Sequence, residues 1–189
     1  MPNWCDNKMD VRGPTEQVKK FMSDVEGYGP FDEESKGEID LFDFNKIIPM
    51  PQEAKDNYND IGYYWQRDNW GCKWGANVND VNLIERKDGT SIVGYSYDTP
   101  WCPANENFFR TLGEKYPDLH FINRYCEPGM GFAGVIEVCG EDFSDVSLEF
   151  SKATFPEYFE DDEDEDEILN SPEVKALKEM GKFELHVIK

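Results

Sequence analysis

The stretch CDNKMDVRG, residues 5–13, decides the fold. Cys5, Asn7, Met9 and Val11 fall on one side of a period-two pattern and Asp6, Lys8, Asp10 and Arg12 on the other, which predicts a strand with one buried and one wet face. Such a strand needs a cover for its buried side, and the next segment supplies one. After Gly13-Pro14, Val18, Phe21, Met22 and Val25 recur at i, i+3, i+4 and i+7, the apolar stripe of an amphipathic helix that Gly27 and Gly29-Pro30 terminate.

Working outward, IDLFDFNKII (residues 39–48) reads as an extended segment interrupted by Pro49 and Pro51. Residues 78–85 and 91–99 form two further strand-like runs, and the Asp88-Gly89 between them marks a hairpin. In PANENFFRTLGEKYP, Ala104, Phe108, Leu112 and Tyr116 share a helical face that ends at Pro117. LHFINRYCE and GFAGVIEVCG follow as strands around the turn EPGMG. Near the end, Ser171 suits a helix N-cap and Pro172 its first turn. Val174, Leu177 and Met180 make its stripe, and Phe183, Leu185 and Val187 alternate as a final strand. Helices interspersed with hairpin-linked strands predict an α+β protein, a mostly antiparallel sheet with helices on one face, and the split β-α-β of the ferredoxin-like fold is the natural arrangement.

Net charge is −21, with 40 acidic against 19 basic residues. Glu160, Asp161, Asp162, Glu163, Asp164, Glu165, Asp166 and Glu167 form one acidic run; removing those eight charges from −21 leaves −13, so the body is acidic too. Phosphates are repelled from such a surface, which disfavours direct nucleic-acid or anionic-membrane binding and favours a basic protein partner. The five cysteines, Cys5, Cys72, Cys102, Cys126 and Cys139, lack the paired spacing of zinc or redox motifs. They read as packing residues of a reduced, cytoplasmic chain. No leader-like segment opens the sequence, and no apolar run nears the roughly 18–20 residues that span a bilayer. The acidic run lacks the regular spacing and glycine of an EF-hand loop, so no metal is expected.

MPNWCDN, IIPMP, NWGCKWGA, TPWCP and EPGMGFAG, in that order, resemble the signature of the YubB-type ferredoxin-like family carried by plasmids and phages. The resemblance covers residues 1–140 and implies a ferredoxin-like domain in a mobile-element protein. Residues 141–189 then hold the acidic segment and a helix-strand extension docked on the same domain, since about 20 structured residues are too few to fold alone.

Within those motifs Trp4, Trp70, Trp74, Trp101 and Tyr125, with Asn3, Asn69, Lys73, Asp98 and Glu127 beside them, have the composition of a recognition pocket at one end of the sheet. The same aromatics also suit a plain cap over the core. Candidate binding residues are Trp70, Lys73, Trp74, Asp98, Trp101, Tyr125 and Glu127. Gly71, Gly75, Gly129 and Gly131 suit turns, and no phosphate-loop spacing is present. His120, His186 and Cys102 have no partner at catalytic spacing, and nothing local brings Asp98 and Glu127 together as a carboxylate pair, so neither catalysis nor a cofactor is expected. Two functions remain open. One is a protein that binds a basic host macromolecule, such as a nuclease, repressor or defence complex, by imitating nucleic-acid charge; the other is a small-molecule or peptide module built on the aromatic loops.

Overall fold

In the computed structural model, which describes residues 3–31 and 39–149, the opening stretch forms strand β1 (Trp4–Pro14) and the next residues form α1 (Thr15–Val25). Short helices α2 (Phe44–Ile47) and α3 (Gln52–Asp56), a π-helical turn over Tyr58–Gly62 and α4 (Tyr63–Asn69) come before the hairpin of β2 (Asn77–Glu85) and β3 (Thr90–Pro100). Helix α5 (Glu106–Lys115) and strands β4 (His120–Glu127), β5 (Phe132–Cys139) and β6 (Asp142–Glu149) complete the described chain. The six strands make one sheet in the order β2-β3-β1-β4-β5-β6, every neighbouring pair antiparallel.

Because β1 and β2 both run against β3, they are parallel to each other, and β3 and β4 are likewise parallel through β1. Each parallel pair is joined by a crossover, one through α1 and one through α5, and crossovers of one hand place both helices on the same face. This is the ferredoxin-like arrangement expected from the pattern, extended past β4 by β5 and β6.

Register explains the core. Cys5, Asn7, Met9 and Val11 lie opposite Thr99, Tyr97, Tyr95 and Val93 of β3, and Asn7, Met9 and Val11 opposite Tyr125, Asn123 and Phe121 of β4. Phe21 of α1 drops onto this layer, edge-on to Tyr95 at 6.1 Å and Phe121 at 5.3 Å between ring centroids. Asn7 breaks the apolar series yet is buried, and its amide is fully used. It donates to Cys5 O (2.8 Å) and Thr99 Oγ1 (2.9 Å) and accepts from Asn123 Nδ2 (3.0 Å), whose own Oδ1 accepts from the Tyr97 hydroxyl (3.2 Å). A satisfied polar ladder of this kind pins the registers of β1, β3 and β4, since a slip would strand every member.

Three stretches depart from the sequence pattern. Residues 39–48 are not a strand: the Asp43 carboxylate accepts from Asn45 N (2.8 Å) and caps α2, leaving only an isolated bridge between Gly27 and Asp40. A local side-chain cap outweighs the aromatic β-propensity of Phe42 and Phe44. The helical pieces between residues 52 and 69 carry no clean periodicity and are held by packing. Strand β6 was hidden because Phe143 lies on the helix-covered face while Val146 and Leu148 lie on the other, so alternation is blurred. With β6 the sheet runs beyond residue 140. The acidic run and the expected C-terminal helix and strand fall outside the described residues. Among the described residues no helix is long and apolar enough to cross a membrane.

Candidate functional site

The insertion between α1 and β2 builds a cavity. Its floor is Phe42, Phe44 and Trp70; its walls come from the turn at Gly29, Pro30 and Phe31, from Tyr58 and Gln66, and from Trp74 with Gly75 and Ala76. The cavity, open to solvent on one side, has a volume of about 580 Å³, in the range of small-molecule sites. Phe44 stacks on Phe108 of α5 with centroids 4.2 Å apart, and Trp70 stands edge-on to Phe44 (6.1 Å) and Trp65 (5.6 Å). The Trp70 indole donates to Ile48 O at 3.0 Å, so the floor is tied to the chain on both sides. Gly71, at φ +87°, lets the chain leave α4 against Asn105, where any side chain would meet backbone.

Polar groups are few and placed. Gln66 is only 2% exposed, yet it lines the cavity. Its Oε1 accepts from the Tyr58 hydroxyl at 2.9 Å. Asp43 sits in the wall with one carboxylate oxygen on Asn45 N and the other on Gly29 N (3.1 Å). Burial raises the Asp43 carboxyl above its ordinary value, opposed by those two backbone N–H groups and by the nearby charges of Lys46 and Lys55. Asp40 and Lys55 complete the lining.

The residues singled out from sequence separate into groups. Trp70 and Trp74 both line the cavity. Trp74 meets Trp4 edge-on at 5.9 Å, and the Lys73 ammonium lies over the rings of Trp74 (5.2 Å) and Tyr63 (5.9 Å). Trp101 is elsewhere: it is 49% exposed, its backbone is at φ +74°, and its N–H donates to Asn3 O at 2.9 Å. Asp98 is paired across the register with Asp6 on the helix-free face and accepts from Asn79 Nδ2 at 2.9 Å. Tyr125 lies over Gly134, where an added methyl would meet its hydroxyl at 2.3 Å, and bonds Asp145 at 3.3 Å. Glu127 is buried and accepts from Gly129 N (3.2 Å) and Met130 N, closing the β4–β5 turn.

Of the candidate residues, Trp70 and Trp74 line the cavity, Trp101 stands exposed outside its lining, and Glu127 closes a turn. Phe42, Asp43, Phe44, Tyr58 and Gln66 were missed; an Asp immediately before Phe-Asn-Lys was the available sign, as an N-cap rather than a strand. The eight acidic residues from Glu160 to Glu167 lie outside the described residues.

Nucleophilic chemistry finds little support in this geometry. Burial pushes the Cys5, Cys72 and Cys102 thiols up, away from thiolate. His120 Nε2 is bonded to Glu137 Oε1 at 2.6 Å, on the helix-free face and away from the cavity. Among the described residues no three His, Cys, Asp or Glu side chains are grouped to hold a metal ion.

Residues 70–171 match the family model described as the ferredoxin-like domain in Api92-like protein. The crystal structure of protein api92 from Yersinia pseudotuberculosis is similar, with a TM-score of 0.60 at 11% identity, covering 80% of this chain and 99% of that one. At that identity the likeness is one of fold. No curated protein matches.

Proposed function

We propose that this chain, which belongs to the family of ferredoxin-like domains in Api92-like proteins, is a non-catalytic binding protein that takes a small organic ligand or a peptide side chain in the cavity beside α2–α4. One observation carries this reading: a cavity of about 580 Å³ walled by Phe42, Phe44, Trp70 and Trp74 has the nearly buried Gln66 amide and the Asp43 carboxylate in its lining. Aromatic walls supply affinity, and a few placed polar groups fix the orientation of what they hold.

Titration of the full chain against a panel of small aromatic and amide-bearing compounds, followed by Trp fluorescence and thermal shift, tests it. Binding is expected to quench the tryptophans and raise the melting midpoint. Ala76→Trp, which fills the cavity from its rim, should abolish both effects without unfolding the chain. Binding that survives Ala76→Trp unchanged would place the ligand elsewhere.

The charge supports a second reading: a plasmid- or phage-borne protein of YubB type whose acidic surface, −13 even without the run 160–167, engages a basic host protein. Affinity for such a partner should fall steeply between low and high salt, and a flat salt profile would discard it.

A further inference from the structure

The rings that a guest in the cavity can reach are not those of its floor. Phe42, Phe44 and Trp70 are almost wholly buried, whereas Phe31 is 52% exposed and Tyr58 and Trp74 are half-buried. Phe31 and Tyr58 meet at 88° with centroids 5.1 Å apart, so they form two sides of a box rather than a stack. The Tyr58 hydroxyl is anchored on Gln66 Oε1. Trp74 is the third accessible ring of the lining, and it already shows what it attracts: the Lys73 ammonium lies 5.2 Å from its centroid. Charge in the lining has a sign as well. Asp40 and Asp43 bring two carboxylates against the one ammonium of Lys55, within a body that is itself acidic. Such a place repels an anion and draws a cation.

Resting on the reading of this cavity as the binding site, we propose that its ligand is an organic cation, a trimethylammonium group held against the rings of Phe31, Tyr58 and Trp74. The hydrogen-bond acceptors around it select the methylated form. Both Asp43 carboxylate oxygens already accept from backbone N–H groups, those of Asn45 and Gly29, and Gln66 Oε1 already accepts from the Tyr58 hydroxyl. A primary ammonium carries three N–H donors and a tightly held water shell, and entry would strip that shell where the acceptors are occupied. A trimethylammonium has no N–H to satisfy. Its methyl groups pack on the rings, its spread charge meets their negative faces, and the carboxylates attract it without direct contact. The two backbone N–H groups on Asp43 favour its charged form, which is the form that attracts the cation.

Calorimetric titration of the full chain with three probes tests this: choline, the neutral alcohol in which a tert-butyl group replaces trimethylammonium, and ethanolamine, the unmethylated cation. Choline should bind at least about tenfold more tightly than either. Phe31→Leu and Trp74→Leu keep an apolar side chain but remove a ring face. Each should weaken choline by about fivefold or more and leave the neutral alcohol within about twofold. Should Trp74→Leu fail to fold, Phe31→Leu, at a half-exposed ring, decides alone. Asp40→Asn, at an exposed carboxylate, should weaken choline and spare the alcohol. A short peptide bearing trimethyllysine, run beside choline, separates the sources of the group: the tighter ligand tells a modified side chain from a free small molecule. Choline no tighter than the alcohol, ethanolamine equal to choline, or choline affinity unchanged in Phe31→Leu each overturns the proposal. If neutral aromatic or amide-bearing compounds then still bind and Ala76→Trp still blocks them, the cavity reading outlives that failure. If no compound of either set binds, both fall.

Discussion

Replacing Trp70 by Ala separates packing from recognition in the aromatic stretch. Trp70 is 1% exposed, wedged between Phe44 and Trp65, with its indole N–H on Ile48 O. Truncating a buried aromatic costs about 3–5 kcal/mol through lost contacts and the cavity left behind. The Ile48 carbonyl loses its donor as well, adding about 1 kcal/mol. The expected loss is therefore about 4–6 kcal/mol, a large share of the roughly 5–15 kcal/mol that stabilises a typical domain. Trp70→Phe keeps a ring in place and forfeits mainly the hydrogen bond and part of the volume, so it should cost about half as much. Urea unfolding followed by far-UV circular dichroism measures both, with the slope of the transition checked for constancy. If Trp70→Ala lies within about 1 kcal/mol of the wild type, the indole is not part of the core and the cavity floor is misdescribed.

At Trp101, where φ is +74°, Gly should be more stable than Ala by about 1 kcal/mol, since only Gly enters the left-handed region without strain; chemical denaturation showing Ala equal or better would refute this. Asn123→Ala orphans Asn7 Oδ1 and the Tyr97 hydroxyl and should cost about 2–4 kcal/mol, with Asn7→Ala/Asn123→Ala costing less than the sum of the single changes. Asp43 has its carboxyl raised, chiefly by burial. Its contribution is thus fully present below the unfolded-state value and lost as pH rises through the folded one. Asp43→Asn, which keeps a good N-cap, should gain stability relative to wild type on going from acid to neutral pH; the opposite trend in denaturation midpoints would mean that the Gly29 and Asn45 N–H groups outweigh burial.

Much of the fold was legible because burial on one side of an element imprints a period. In β1 the imprint survived even at Asn7, because a polar residue on the dry face is tolerated once its amide is satisfied. Helices α1 and α5 and the Asp88-Gly89 hairpin were readable for the same local reasons, an apolar stripe and a turn residue at positive φ. The candidate site was less legible. Trp70 and Trp74 stand four residues apart in sequence and both line the cavity, but Gln66, Tyr58 and Asp43 come from short helical pieces whose stability lies in contacts with α5 and Trp70 rather than in any period of their own.

Chain-local physics thus determined five of the six described strands, the two long helices, the acidity and the presence of a tryptophan-rich segment, because each depends on residues a few positions apart. Tertiary structure alone decided which aromatics share a wall and which stand apart. Trp70 and Trp101 look alike in sequence, and one is buried while the other is half exposed, because burial depends on what the rest of the chain brings to that place. The order β2-β3-β1-β4-β5-β6 sets that placement, since pairing between distant strands is chosen by the whole core and leaves no mark on any single segment.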